Sequence, residues 1–231
     1  GKWVESDSDR YLPVENPASR EIIGRVPLST REEVDAAVKA AGRAFKEWRR
    51  TPPMKRVEPL YTLRYLMKRN QKRIAEQVTI EHGKIFNDAY LEVQRAIENI
   101  EVAVGIPTLM QGNVLEDVSR GIDESYIRQP VGVFSVIPAF NFPAMIPFWF
   151  LPYAVAAGNT FIVKPSEITP MTQSLIFELI EEAGFPEGVI NLVNGDRTVA
   201  EALITHPGVA GISSVTSTPV ARHIYRLAAE H

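Results

Sequence analysis

Three short segments hold residues suited to chemistry on a nucleotide and a carbonyl: PAFNFP at 138–143, KPSE at 164–167 and STP at 217–219. Asn141, set between aromatics and prolines, carries a neutral amide N–H that a rigid loop can aim at a developing oxyanion. The competing reading is an Asx turn, a common use of Asn after a strand. Lys164 and Glu167 offer an ammonium and a carboxylate that can hydrogen-bond a ribose, or else a solvated ion pair at a helix start. Ser217, Thr218 and Pro219 read as a helix N-terminus whose hydroxyl and free backbone N–H groups suit a pyrophosphate, or as an ordinary cap.

Such segments act together only if the fold brings them to one edge. Residues 131–137, 160–163, 189–193 and 209–215 read as strands, with helices at about 143–157, 170–183, 198–205 and from Pro219 onward. Strands alternating with helices predict an α/β fold with a doubly wound parallel sheet. All its strands point their carboxyl ends at one edge, where the three segments then converge. The punctuation agrees: Gly158-Asn159 and Gly184-Phe185-Pro186 sit at helix ends, and Pro143, Pro170 and Pro219 at first turns. No charged residue occurs from Gln129 to Val163, and the apolar run at 142–158 approaches the length of a membrane span. Pro143, Pro147 and Pro152 interrupt it, so it reads as folded core and no membrane association is expected.

Upstream, residues 1–28 read as an extended lead-in with a turn at NPAS, 16–19. Thr30 and Glu33 form a capping box for a helix with Val34, Ala37, Val38, Ala41, Phe45 and Trp48 on its apolar stripe, stopped by Pro52-Pro53. Helices are predicted over 54–81 and 87–104. Residues 112–130 alternate polar and apolar around Arg120-Gly121, which predicts a β-hairpin arm. An isolated hairpin is marginal in water, so this one is expected to lie against something else, for example another subunit. The chain thus divides into a helical part at 1–111, the arm at 112–130 and a βαβ core at 131–231.

The 231 residues are 45% hydrophobic with a net charge of -3, enough to bury a substantial core and no general case for nucleic acid. Eleven Lys and Arg lie between positions 43 and 73, but Leu60, Leu63, Met67, Ile74 and Val78 recur among them at helical spacing, so the charges read as a solvated helix face. There is no cysteine, and His82, His206, His223 and His231 lack metal-ligand spacing, so no metal is predicted. Acidic residues near the start and no apolar leader give a cytoplasmic expectation.

The order and wording of IPAFNFPAMIPFWFLPYAVAAGNTFIVKPSEITP resemble the aldehyde dehydrogenase superfamily, with its P-x-N-F-P loop followed by GN and KP-x-E. NPAS, IIGRVPLST, DAAVKAAGRAF, EHGK at 81–84, GFPEGVINLVNG and HPGVAGIS extend the resemblance over essentially the whole chain. Phe140 and FNFPAMIP are most similar to the methylmalonate-semialdehyde, CoA-acylating branch. The resemblance implies a Rossmann-like coenzyme-binding domain, NAD as cofactor, CoA as co-substrate of the full enzyme, a small aldehyde substrate, and a homo-oligomer formed through 112–130. It assigns the oxyanion donor to Asn141, the nicotinamide side to Pro138 and Phe140, the adenosine ribose to Lys164 and Glu167, and the pyrophosphate to Ser217.

Three departures qualify that expectation. Ser214, Val215, Thr216 and Ser217 stand where the family has F-x-G-S, and the β-branched Thr216 is expected to weaken dinucleotide binding. Ile168 replaces an Arg frequent in the methylmalonate-semialdehyde branch. The family's nucleophilic cysteine and general-base glutamate lie beyond the helix at Pro219, so the chain is expected to be an N-terminal portion, inactive alone. The alternative is a non-catalytic nucleotide-binding or subunit-interaction module.

Overall fold

A computed structural model describes residues 2–231. The lead-in pairs β1 (Tyr11–Glu15) with β2 (Ile22–Pro27) in an antiparallel ribbon. Five helices follow: α1 (Arg31–Trp48), α2 (Pro53–Arg56), α3 (Glu58–Arg69), α4 (Gln71–His82) and α5 (Phe86–Ala103), then the short α6 (Ile106–Leu109). The arm is β3 (Asn113–Ser119) and β4 (Ile122–Tyr126). The core runs β5 (Val133–Ile137), α7 (Met145–Phe148), α8 (Leu151–Ala156), β6 (Thr160–Val163), α9 (Met171–Glu182), β7 (Ile190–Leu192), α10 (Arg197–Ile204), β8 (Val209–Ser214) and α11 (Thr218–Glu230).

The sheet has the order β7-β6-β5-β8 with every pairing parallel. It is the doubly wound sheet that the alternation of segments predicts. The central strands β5 and β6 are largely apolar on both sides because both are covered, while the edge strands β7 and β8 are half-buried. On one face, Val136, Phe161 and Val163 pack with the helical layer of α3, α4, α5, α8 and α9. On the other, Val133 and Ile162 meet Val34, Val38 and Ala41 of α1 and Val199 and Leu203 of α10. Trp48 ties the layers by donating its indole N–H to Val155 O at 2.9 Å.

The capping box forms as predicted, with Thr30 Oγ1 accepting from Glu33 N and Glu33 Oε2 accepting from Thr30 N. Two predicted helices are broken instead of continuous. The 54–81 helix is three: Val57 turns the chain before Pro59, and Asn70, at φ -99 and ψ 9, donates its side-chain amide to Leu66 O. That local bond competes with the helical ladder. The 143–157 helix is two, parted at Phe150 (φ -126, ψ -51), because Pro147 and Pro152 cannot donate to preceding turns. No helix is long and apolar enough to cross a membrane among the described residues.

The basic stretch needs one correction. Its Lys and Arg are mostly solvated, but Arg56 is buried, donating to Thr51 O at 2.7 Å, Arg49 O at 3.1 Å and Ala156 O at 3.5 Å. It satisfies carbonyls left open where α1 and α8 end. The arm turns at Arg120-Gly121, where Gly121 takes φ +76, and both strands are exposed along their whole length.

Candidate active site

β5 and β8 are neighbours, yet the chain reaches β8 only after building β6 and β7 on the far side of β5. The strand order therefore reverses between β5 and β8, and their carboxyl ends are the usual ligand position in such sheets. Ile137 pairs with Ser214, and Val215 N donates to Ile137 O at 3.2 Å, so residues 215–217 lie beside the loop that begins at Pro138. Lys164 N donates to Val136 O at 3.1 Å, which brings KPSE to the same edge. The three segments do converge.

Within the loop, Pro138 and Pro143 are buried while Phe140, Asn141 and Phe142 are exposed. The side-chain amide of Asn141 makes no hydrogen bond among the described residues, so no Asx turn forms and its donors are free; only its backbone carbonyl is engaged. The loop is held from behind. Lys84 Nζ donates to Asn141 O at 2.7 Å and to Glu92 Oε2 at 2.6 Å, and lies 4.2 Å from the centroid of the Phe142 ring. Glu92 Oε1 accepts from Ala144 N and Met145 N at 2.8 and 3.2 Å. Gln173 Nε2 donates to Pro143 O at 2.6 Å, Thr169 Oγ1 to Phe140 O at 3.3 Å, and His82 stacks on Phe140.

Burial sets the electrostatics. Desolvation pushes the Glu92 carboxyl up, opposed by the Lys84 ammonium and by the two backbone N–H groups. Glu81, also buried, is pushed up to about 7 by desolvation, despite accepting from Met171 N and Thr172 N. Lys164 is 4% exposed and lies 3.2 Å from Glu167, which is one-third exposed. Burial lowers the Lys164 pKa, with Glu167 and Asp196 acting against it. The pair is thus not the solvated surface pair of the alternative reading. The N-cap of α11, Ser217, makes no side-chain cap bond, so its hydroxyl stays available at the start of a 13-residue helix. Among the described residues no group of three or more His, Asp or Glu is placed to hold a metal ion.

Five residues of this region escape sequence reasoning about the site: Glu81, Lys84, Glu92, Thr169 and Gln173. A signal for two of them exists. Glu92 falls on the stripe Ala89, Val93, Ala96, Ile97, Ile100, and Glu81 continues Ile74, Ala75, Val78; a carboxylate at an apolar stripe position is buried and needs partners. Which partners it finds depends on tertiary contacts.

The family profile described as aldehyde dehydrogenase family matches residues 3–231. Malonate-semialdehyde dehydrogenase 2 of Geobacillus kaustophilus (strain HTA426) is 48% identical over 231 residues, which cover 100% of this chain and 48% of that relative. The crystal structure of methylmalonate-semialdehyde dehydrogenase (DddC) from Oceanimonas doudoroffii superimposes with a TM-score of 0.96 at 41% identity, over 99% of this chain and 47% of the other. A Sinorhizobium meliloti 1021 structure in complex with NAD gives the same four values. The chain spans about half the length of the curated relatives it matches. Because the match in sequence runs through every strand of the sheet and every loop at its carboxyl edge, and the match in structure reproduces that sheet, the chain belongs to the aldehyde dehydrogenase family.

Proposed function

We propose that this chain supplies the dinucleotide site and the oxyanion donor of an NAD-dependent aldehyde dehydrogenase that acts on a short semialdehyde of the malonate or methylmalonate type and passes the acyl group to CoA. The observation that carries this reading is the Asn141 loop, with its side-chain donors free, at the point where the strand order reverses. The relatives' names support the substrate class.

The residues fit a dinucleotide. Ser217 has an uncommitted hydroxyl at a helix N-terminus, where backbone N–H groups favour phosphate. Lys164, held by Glu167, faces the same edge and would bind the adenosine ribose; the Glu167 carboxylate disfavours a 2′-phosphate, hence NAD over NADP. Pro138 and Phe140 would line the nicotinamide side. NAD, when bound, supplies the hydride acceptor. Asn141 would donate its amide N–H to the oxygen of the tetrahedral adduct, which forms on a thiolate outside these residues, since the 231 contain no cysteine. The arm at 112–130 would join subunits of a homo-oligomer.

A second reading, a non-catalytic nucleotide-binding or subunit-joining module, draws on the absence of cysteine and on the wholly exposed arm. Fusion of the chain to the remaining half of the Geobacillus relative separates the two. Aldehyde-dependent NADH formation is expected from the fusion and none from the chain alone, with Asn141→Ala lowering kcat of the fusion by about 10²–10³-fold. A fusion indifferent to that substitution would refute the role of Asn141.

A further inference from the structure

We propose that Glu92 is a positioning residue: through Lys84, and through the backbone N–H groups of Ala144 and Met145, it fixes the loop that presents Asn141. The relevance to catalysis rests on the role proposed above for Asn141; the fixing of the loop does not. The side chain of Glu92 is 0% exposed, and its two oxygens divide the work. Oε1 holds the two N–H groups at the start of α7, and Oε2 holds the Lys84 ammonium. Lys84 carries the restraint to Asn141 O and covers the Phe142 ring. One buried pair therefore grips the chain on both sides of Pro143, whose own carbonyl is taken by Gln173.

Stability alone is a poor account of such a pair, because an ion pair removed from water adds little over well-packed apolar side chains. α5 already buries Ala89, Val93, Ala96, Ile97 and Ile100, so an apolar residue at position 92 would serve packing equally well. What an apolar residue cannot supply is a set of directed bonds to two backbone N–H groups and, through an ammonium, to a carbonyl three residues before them. The exposed part of the loop is the part that needs this: Phe140, Asn141 and Phe142 stand out of the core, and they are held by side chains from elsewhere in the fold, His82 on the Phe140 ring, Thr169 on Phe140 O, and Lys84 on Asn141 O and the Phe142 ring. A donor aimed at a developing charge is effective only when it is already oriented.

The test uses the 231-residue chain with Glu92→Gln and Lys84→Met, read by amide hydrogen exchange and by the NMR signals of the Asn141 carboxamide. The double variant Lys84→Met with Glu92→Gln leaves no unpaired buried charge, so it is the folded comparison should either single variant unfold. Both variants are expected to speed exchange at residues 141–145 by about tenfold or more, the equivalent of one charge-assisted bond, and to move the two carboxamide proton signals to the separate positions they take in an unstructured chain. Exchange in β5 and β6 should stay as in the parent. Unchanged exchange at 141–145 in Lys84→Met overturns the proposal, and so does a rise spread evenly over the chain, which would make Glu92 a packing residue only. Titration of the parent with NAD runs alongside: a parent that ignores NAD removes the dehydrogenase reading while leaving the result on the loop intact.

Discussion

Glu81 accepts the backbone N–H of Thr172 at 2.8 Å through one carboxylate oxygen, while the other accepts Met171 N. The contact joins the end of α4 to the first turn of α9, where helix N–H groups lack internal partners. Donors and helix dipole favour the carboxylate form, yet burial outweighs them and the pKa is pushed up to about 7 from 4.5. A carboxyl raised in the fold stabilises it below the unfolded pKa, and the contribution is lost as pH rises through the folded value. Unfolding free energy is therefore expected to lose on the order of 3 kcal/mol from this group between about pH 4.5 and 7. His82, whose pKa is lowered by burial and by Lys84, acts in the opposite sense as pH approaches its unfolded value. The difference between parent and Glu81→Gln isolates the effect: urea titrations across pH 5–8 should show the parent's stability falling relative to the variant, and parallel profiles would count against it.

Arg56 gives a stability prediction free of pH. Arg56→Met removes the donor to Arg49 O, Thr51 O and Ala156 O and is expected to cost about 2–4 kcal/mol in urea unfolding, with little change in the m-value. Arg56→Lys should recover less than half, because a single ammonium cannot span carbonyls from two helix ends. A variant within about 0.5 kcal/mol of the parent would show those carbonyls to be served by water.

Thr216→Gly addresses the phosphate loop. A backbone N–H brought onto a phosphate oxygen adds about 1.5 kcal/mol, from which glycine's extra freedom removes about 0.5–1. The expected net is a Kd for NAD lower by roughly two- to fivefold in calorimetry. Equal or weaker binding would mean that residue 216 does not limit the approach.

The arm should mediate self-association. Val114, Leu115, Val118, Ile122 and Tyr126 are all exposed, and a two-stranded ribbon with apolar residues on view invites a partner. Sedimentation of the chain is expected to give a species larger than the 25.8 kDa monomer, and Val114→Lys with Leu115→Lys to return it to the monomer. A parent that sediments as a monomer would place the subunit contact elsewhere.

Much of this fold is legible in the sequence because it rests on local rules. Apolar segments bounded by Gly158-Asn159 and Gly184 mark strands and helix ends, Thr30 and Glu33 announce a helix start, and Arg120-Gly121 a hairpin turn. A parallel sheet places Asn141, Lys164 and Ser217 along one edge, and the strand order that sets β8 beside β5 brings them together. The helix breaks at Asn70 and Phe150 are less legible, since side-chain competition and proline act on patterns that still look periodic. The clamp on the Asn141 loop is least legible: Lys84 and Glu92 lie about 50 residues from the backbone atoms they hold, and no local pattern names those partners.

Residue-resolved NMR titration of the chain with NAD tests the dinucleotide site most directly. Saturable shifts are expected at residues 138–142, 164–167 and 215–219 together, with the arm strands Asn113–Ser119 and Ile122–Tyr126 undisturbed. Saturable shifts that spare those three loops, or none up to the solubility limit, would contradict a nucleotide site at the reversal of strand order between β5 and β8.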